Sequence, residues 1–348
     1  MKNWYVGLLA LVVALMLAAC GSDEVNGNGK SNEDNQVENS NAQNISSENG
    51  EDSQADNANA QSDDSESTLK TQYPLTITDA SGLEFTFEQA PQRIVSIAPH
   101  QTEILFAIGL GDRIVGVSEF DNYPEEASTK PKVGNIQGNA EALLAVQPDL
   151  VFAGLSLNGT SVGGLRDLGV QVFTTEPTTI DEVIESILTI GVITDAQEEA
   201  EKVAAKMRED KQLVIDTVSG LTEAQKKSVY IEYDPLWTAG KGSFMDEMIV
   251  LSGGINIASD LDPWAQISSE AVIAANPDVI IYADVNDYET GNPLIETIKS
   301  RPGWGEITAM KDNAITGINA DILSRNGPRI TDALVQIAMG IYPELFAK

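Results

Sequence analysis

The side chains able to do chemistry are few, and their scarcity narrows the function. One histidine, His100, and one cysteine, Cys20, occur in 348 residues. A Ser–His–Asp triad or a histidine-rich metal cage has almost nothing to draw on, which weighs against hydrolysis and against zinc or manganese capture. Gly109-Leu-Gly111 lacks the third glycine of a dinucleotide loop, and Gly240-Lys241-Gly242-Ser243 lacks the earlier glycine of a phosphate loop. No Gly-x-Ser-x-Gly elbow occurs. The expectation is no enzyme, no cofactor and no metal site. The aromatic residues are more telling. Phe120 lies in Glu119-Phe120-Asp121-Asn122-Tyr123-Pro124, Trp237 in Asp234-Pro235-Leu236-Trp237-Thr238, and Trp264 in Asp262-Pro263-Trp264-Ala265-Gln266. Rings in loops either pack the loop onto its own lobe or line a concave pocket for a flat or macrocyclic ligand. His100 follows a strand, at the edge where open α/β sheets bind ligands, and otherwise reads as an exposed or helix-capping side chain.

Strands and helices alternate around these loops. Arg93–Ala98 reads as a strand, Pro99-His100-Gln101 as a loop, Thr102–Ile108 as a helix stopped by Gly109, and Arg113–Val117 as a strand. Ser228–Tyr233, the loop Asp234–Gly242, the helix Ser243–Leu251 and Gly253-Gly254 repeat that order. A second repeat joins Glu141-Ala-Leu-Leu-Ala-Val-Gln-Pro148-Asp149-Leu-Val-Phe-Ala153 to Glu270-Ala-Val-Ile-Ala-Ala-Asn-Pro277-Asp278-Val-Ile-Ile-Tyr282. Each copy is a short helix, a Pro-Asp turn and a buried strand. The alternation predicts an α/β class with parallel sheets in two lobes, residues 71–180 and 221–348. Between them, 181–220 is helical. Thr194-Asp195-Ala196-Gln197 reads as a capping box, Ala200, Val203, Ala204, Met207, Val214 and Val218 keep helical spacing, and Gly220 stops the run. A helix of this length, about 36 Å, would brace the two lobes.

The first seventy residues are of another kind. Lys2 precedes the apolar run Val6–Met16, which is a signal segment too short to span a membrane. Leu17-Ala18-Ala19-Cys20-Gly21 matches the lipidation box of bacterial lipoproteins, so 1–19 is expected to be cleaved and Cys20 to carry the lipid anchor. With no second cysteine there is no disulfide framework. Residues 20–70 are polar and acidic and read as a disordered tether reaching about 40 Å. The formal net charge is −32, and residues 71–348 alone hold 41 acidic against 18 basic side chains. Such a body is unsuited to nucleic acid or to anionic lipid surfaces.

In order and spacing the chain resembles the solute-binding proteins of ABC importers for cobalamin and iron–siderophores. The resemblance covers nearly all of 75–348. It rests on Ala98-Pro99-x-x-Thr102-Glu103, Gly116-Val117-Ser118, the two Glu-led Pro-Asp repeats, Trp237-Thr-x-Gly240-Lys241, Gly253-Gly254-x-Asn256, Pro263-Trp264-x-Gln266 and Arg325-x-x-Pro328-Arg329. It implies two Rossmann-like α/β lobes joined by a long interdomain helix, with a ligand cleft between the lobes and little closure. It places Phe120, Trp237 and Trp264 at aromatic positions of the cobalamin cleft, and Asp321 and Arg325 at polar ones. Two further tryptophans of that cleft fall at Ile136 and near Gly154, so a ferric siderophore or haem stands beside cobalamin as ligand. Docking glutamates of the family match Glu141 and Glu270, each two residues after an N-cap candidate, Asn139 or Ser268, where the helix dipole also favours a carboxylate. The implied protein is a monomer anchored by lipid on the extracytoplasmic face, working with an ABC permease. Alternatives of another class are a two-lobed α/β enzyme and a surface adhesin.

Overall fold

The computed structural model describes residues 69–287 and 289–347. A hairpin of β1 (Leu75–Thr78) and β2 (Glu84–Phe87) leads into β3 (Ile94–Ser96), β4 (Ile114–Val117), β5 (Leu150–Gly154) and β6 (Val172–Thr175). The last four pair in parallel in the order β4-β3-β5-β6, connected by α1 (Pro99–Ala107), α2 (Ala140–Ala145) and α3 (Leu155–Asp167). Two helices, α4 (Ile180–Thr194) and α5 (Gln197–Val218), then leave this N-terminal lobe. The C-terminal lobe holds β7 (Ser228–Glu232), β8 (Trp237–Thr238), β9 (Ile255–Asn256), β10 (Ala265–Gln266), β11 (Val279–Asp284) and β12 (Ile315–Asn319). Its helices are α6 (Phe244–Leu251), α7 (Ser269–Ala275), α8 (Leu294–Ser300), α9 (Thr308–Lys311), α10 (Ala320–Ser324), α11 (Ile330–Ile341) and α12 (Pro343–Phe346). Its main sheet runs β12-β11-β7-β9, all parallel, while β8 and β10 form a separate antiparallel ribbon. Taken in chain order, the strands of both sheets lie 2-1-3-4, so the lobes repeat one topology.

The repeated Pro-Asp has a physical reason. In the first copy the Asp149 carboxylate accepts the amides of Gln92 and Arg93 (2.7 and 3.0 Å), the residues that enter β3. In the second, Asp278 accepts the amide and hydroxyl of Ser228 (2.8 and 2.7 Å), the first residue of β7. Each aspartate thus ties the start of one central strand to the start of its neighbour, using charge-assisted bonds on donors the ladder leaves open. The residues before the prolines, Gln147 and Asn276, take positive φ (48° and 46°), which ends each helix sharply before the strand. β5 is buried along its whole length, as a parallel strand covered on both faces must be.

The interlobe segment differs from the sequence expectation. The expected long helix is present as α5, but a second helix, α4, precedes it in the segment, and the capping box is not at Thr194. The Thr194 hydroxyl bonds back to the Ile190 carbonyl (2.7 Å), Asp195 takes a left-handed conformation that ends α4, and α5 starts without a side-chain cap. The capping box of this segment is Thr179 with Glu182, at the start of α4. α5 spans 22 residues, about 33 Å, and touches α1 of one lobe and α6, α11 and α12 of the other. One continuous apolar cluster follows it, from Ile94, Phe152 and Phe173 through Ile187, Ala204 and Met207 to Val229, Ile281 and Leu334. Each lobe keeps a smaller core on the far face of its sheet, around Leu143 and Val162 in one and Val272 and Trp304 in the other. Among the described residues no helix is long and apolar enough to cross a membrane.

Candidate ligand-binding cleft

Because every pairing in the two main sheets is parallel, the loops that follow the strands gather on one edge of each lobe. Those edges meet. Asn122, after β4, donates to Asp321 in α10 (3.0 Å). Arg325, just past α10, donates to Glu103 of α1 (2.9 Å), to the Asn122 side chain (2.8 Å) and to the Phe120 carbonyl (3.4 Å), and it pairs with Asp321 (2.8 Å). Arg329 grips Glu103 with two bonds (2.8 and 2.7 Å), and its guanidinium carbon lies 3.8 Å from the centre of the Tyr123 ring. Asn326 donates to the Pro177 carbonyl (2.9 Å). Glu103 is 3% exposed, so one buried carboxylate of the N-terminal lobe is matched by two guanidinium groups of the C-terminal lobe.

His100 is a correction. Pro99 opens α1, so His100 lies inside the first helical turn, and the helix has no side-chain cap. The ring is 7% exposed and rests against Gly154, where a Cβ would come within 3.2 Å of its Cε1. Nε2 has no hydrogen-bond partner. Burial first, then the charge of Arg325, pulls its pKa down to about 4, so the imidazole is neutral at pH 7. Nearby Asp121 is also buried, and burial pushes its carboxyl up to about 6 against the opposing pull of the Ser118 amide.

The aromatic residues divide between the lobes. Phe120 is 54% exposed at the lobe junction, its carbonyl held by Arg325. Trp264 is 46% exposed although two rings, Tyr233 and Phe244, pin it edge-on at 5.7 and 5.3 Å. Trp237 is half-buried and faces Gln266 in the β8–β10 ribbon, which puts it on the same support as Trp264. The ribbon needs Gly240: a Cβ there would stand 2.2 Å from the Leu261 carbonyl oxygen, and the Gly240 amide donates to Pro263 (3.1 Å). Phe120, Asp321 and Arg325 are therefore one cluster, and Trp237 with Trp264 another. A cavity of about 630 Å³ lies between α1, α5 and the start of α11, lined by Phe106, Tyr123, Met207 and Asp332 among others. None of the six ligand residues expected from sequence lines it; Glu103 and Arg329 form part of its wall.

Glu141 and Glu270 occupy matching places. Each is the second residue of its helix, and each helix is capped as expected, Asn139 accepting from the Ala142 amide and Ser268 from the Ala271 amide, both at 3.1 Å. Both side chains are exposed. The loop before α2 is tied to the end of β3 by Asn158, which donates to the carbonyls of Ile97 and Ile136, and the loop before α7 is tied to the one after β7 through the Ile267 amide and Leu236 carbonyl (2.9 Å). Sequence reasoning assigned no role to Glu103, Asn122, Tyr123 or Arg329. The signal for Glu103 was a lone carboxylate inside the apolar helix Thr102–Ile108, the charge that most needs a partner. Among the described residues no group of three or more His, Cys, Asp and Glu side chains is arranged to hold a metal ion. Cys20 lies outside the described residues.

Known proteins share this architecture. Residues 94–322 match the periplasmic binding protein family. An uncharacterized ABC transporter substrate-binding lipoprotein of Bacillus subtilis, YvrC, is 34% identical over 281 residues, 79% of this chain and 87% of that protein. The periplasmic vitamin B12 binding protein of Vibrio cholerae is similar in structure with a TM-score of 0.63 at 29% identity, over 74% of this chain and 99% of that one. A periplasmic heme-binding protein from Roseiflexus gives a TM-score of 0.65 at 28% identity, over 73% and 99%. With two parallel sheets turned edge to edge and a match that runs through both, the chain belongs to the periplasmic binding protein family.

Proposed function

We propose that the chain is the extracytoplasmic solute-binding subunit of an ABC importer, and that it holds a metal-containing macrocycle, cobalamin first, between its lobes. One observation carries this reading: Phe120 and Trp264 stay half-exposed on loops of opposite lobes while their surroundings hold them in place. Each ring offers part of the 150–250 Å² that an aromatic side chain can bury, roughly, against a flat ligand face. Trp237 extends that surface from the same ribbon as Trp264, and Asp321 and Arg325 supply hydrogen bonds to the ligand rim. His100 underlies the cleft floor and contributes shape. A ferric siderophore or haem is the second reading, favoured by Ile136 and Gly154 standing where the resemblance places tryptophans in cobalamin-binding members. The family binds and delivers solutes, so no catalytic role is assigned.

The two exposed glutamates, Glu141 and Glu270, dock on arginine pockets of the permease, one from each lobe. Cys20 carries the lipid that keeps the monomer at the outer face of the cell membrane, with 20–70 as tether. Calorimetry against corrinoids, ferric siderophores and haem tests the ligand. Trp264→Ala is expected to weaken binding of the cognate complex by about 1–3 kcal/mol. If Trp264→Ala and Arg325→Ala both bind it like wild type, the cleft is elsewhere. In cells, Glu141→Ala with Glu270→Ala should abolish uptake at unchanged affinity, and Cys20→Ala should release the protein from membranes. Full uptake by the first variant, or membrane retention of the second, refutes the corresponding role.

A further inference from the structure

Most cations of the cleft are already engaged. The loops that follow the strands of the two main sheets, with the helix starts beside them, hold five: Lys130, Lys132, Lys241, Arg325 and Arg329. Arg325 and Arg329 share Glu103, and Arg325 also holds Asp321, so neither offers an unmatched charge. His100 is neutral. Lys130 pairs with Glu126, and of these five only Lys132 and Lys241 are exposed and make no ion pair among the described residues, Lys132 donating to the Asp121 carbonyl (3.0 Å). The same loops carry many more carboxylates, Glu119, Asp121, Asp234, Asp262 and Asp287 among them. The Asp234 carboxyl is held above its ordinary range by partial burial and by Asp287, Glu232 and Glu289, which is how a negative local field acts on an acid.

We propose that the cleft selects neutral or positively charged complexes and rejects anionic ones, and that Glu103 sets this selectivity by holding both interlobe arginines. The inference rests on the solute-binding reading of the cleft. An anionic ligand, such as a macrocycle rimmed with carboxylates or a catecholate complex of iron, finds only Lys132 and Lys241 without a carboxylate partner, and any arginine it uses must be taken from Glu103. That leaves a buried carboxylate without its partner, a state proteins avoid. It also enters a cleft whose loops repel it. A complex rimmed with amides, or one carrying a positive charge, displaces no ion pair, and exposed Glu119 with half-buried Asp321 attracts it. The selectivity comes from what the cleft excludes as much as from what it contacts.

Calorimetry on the full chain with ligands of different charge tests this. The probes are a cationic ferric trihydroxamate, a neutral corrinoid, a trianionic ferric tris-catecholate and haem with its two carboxylates. The tighter of the first two should bind about 100-fold or more above either anionic probe at low salt. Glu103→Gln frees the arginines and should narrow that gap about tenfold. Asp321→Asn, at a half-buried position, should narrow it by about threefold and keeps the charge inference testable should Glu103→Gln not fold. An anionic probe that binds wild type as tightly as the others overturns the charge inference alone. A gap that neither variant changes overturns the role of Glu103. No binding by any probe overturns the metal-complex reading, and this inference with it.

Discussion

The two lobes share a strand order, an aspartate clamp between central strands and a capped helix bearing an exposed glutamate. They differ in the segments beyond the strand ends. The N-terminal lobe presents Ile136, Leu157, Phe120 and the buried Glu103, while the C-terminal lobe presents Trp237, Trp264, Arg325 and Arg329. The loops lie outside the ladders and the cores, so they diverge at little cost to either sheet. The comparison teaches that the scaffold is duplicated and the recognition surface is not. Charge complementarity between the lobes exists because one side supplies the carboxylate and the other the guanidinium groups.

The sharpest way to break that complementarity is Glu103→Ala. It leaves two arginines facing each other without their carboxylate and should cost about 3–5 kcal/mol of stability in denaturant unfolding. A loss below about 1 kcal/mol would show that the lobes do not lean on this contact. Next in size is the pH response of His100, which only the N-terminal lobe carries. Its folded pKa is about 4, against roughly 6.5 unfolded. A depressed histidine contributes stability that is fully present above the unfolded pKa and lost as pH falls from about 6.5 through 4, up to about 3 kcal/mol. Asp121, raised to about 6, works in the opposite direction: its contribution is present below the ordinary carboxylate range and lost as pH rises through 6. The two offset each other in the wild type. His100→Gln should therefore gain stability relative to wild type between pH 7 and pH 4.5; parallel unfolding curves would contradict the buried, neutral imidazole. The smallest effect separates the two clamps. Asp278→Ala, at a half-buried site, should cost about 2 kcal/mol and Asp149→Ala, at an exposed one, about 1 kcal/mol. A reversed order in thermal unfolding would mean the clamps are not equivalent in the way their geometry suggests.

Much of the scaffold was legible because it is local. The apolar runs at Ile94–Ser96 and Leu150–Gly154 need no distant partner to be recognised, and the two Pro-Asp copies could be aligned by eye. The work of the aspartates was not legible, since their donors, Arg93 and Ser228, lie 56 and 50 residues away. The cap at Thr194 was misplaced because Ser and Thr hydroxyls serve equally well inside a helix, bonding backward, as at its start. Thr179-Ile-Asp-Glu182 carried the same signature and was the true cap. In the cleft, loop aromatics stood out by type, yet Glu103 did not, because its partners lie 222 and 226 positions along the chain. Pro99 was the overlooked sign that His100 is helical and hence buried.

The apolar cluster that runs along α4 and α5 across both lobes bears on modularity. The outlines suggest two pieces joined by a stalk, but the described residues belong to one compact unit, and the inward face of each sheet is finished by helices the other lobe also uses. A single nick between Gly220 and Leu221 would release no free-standing half, because each fragment would bare an oily sheet face to water. Grafting one lobe onto a foreign partner would meet the same obstacle, so this pair can be expected to melt, evolve and be degraded together.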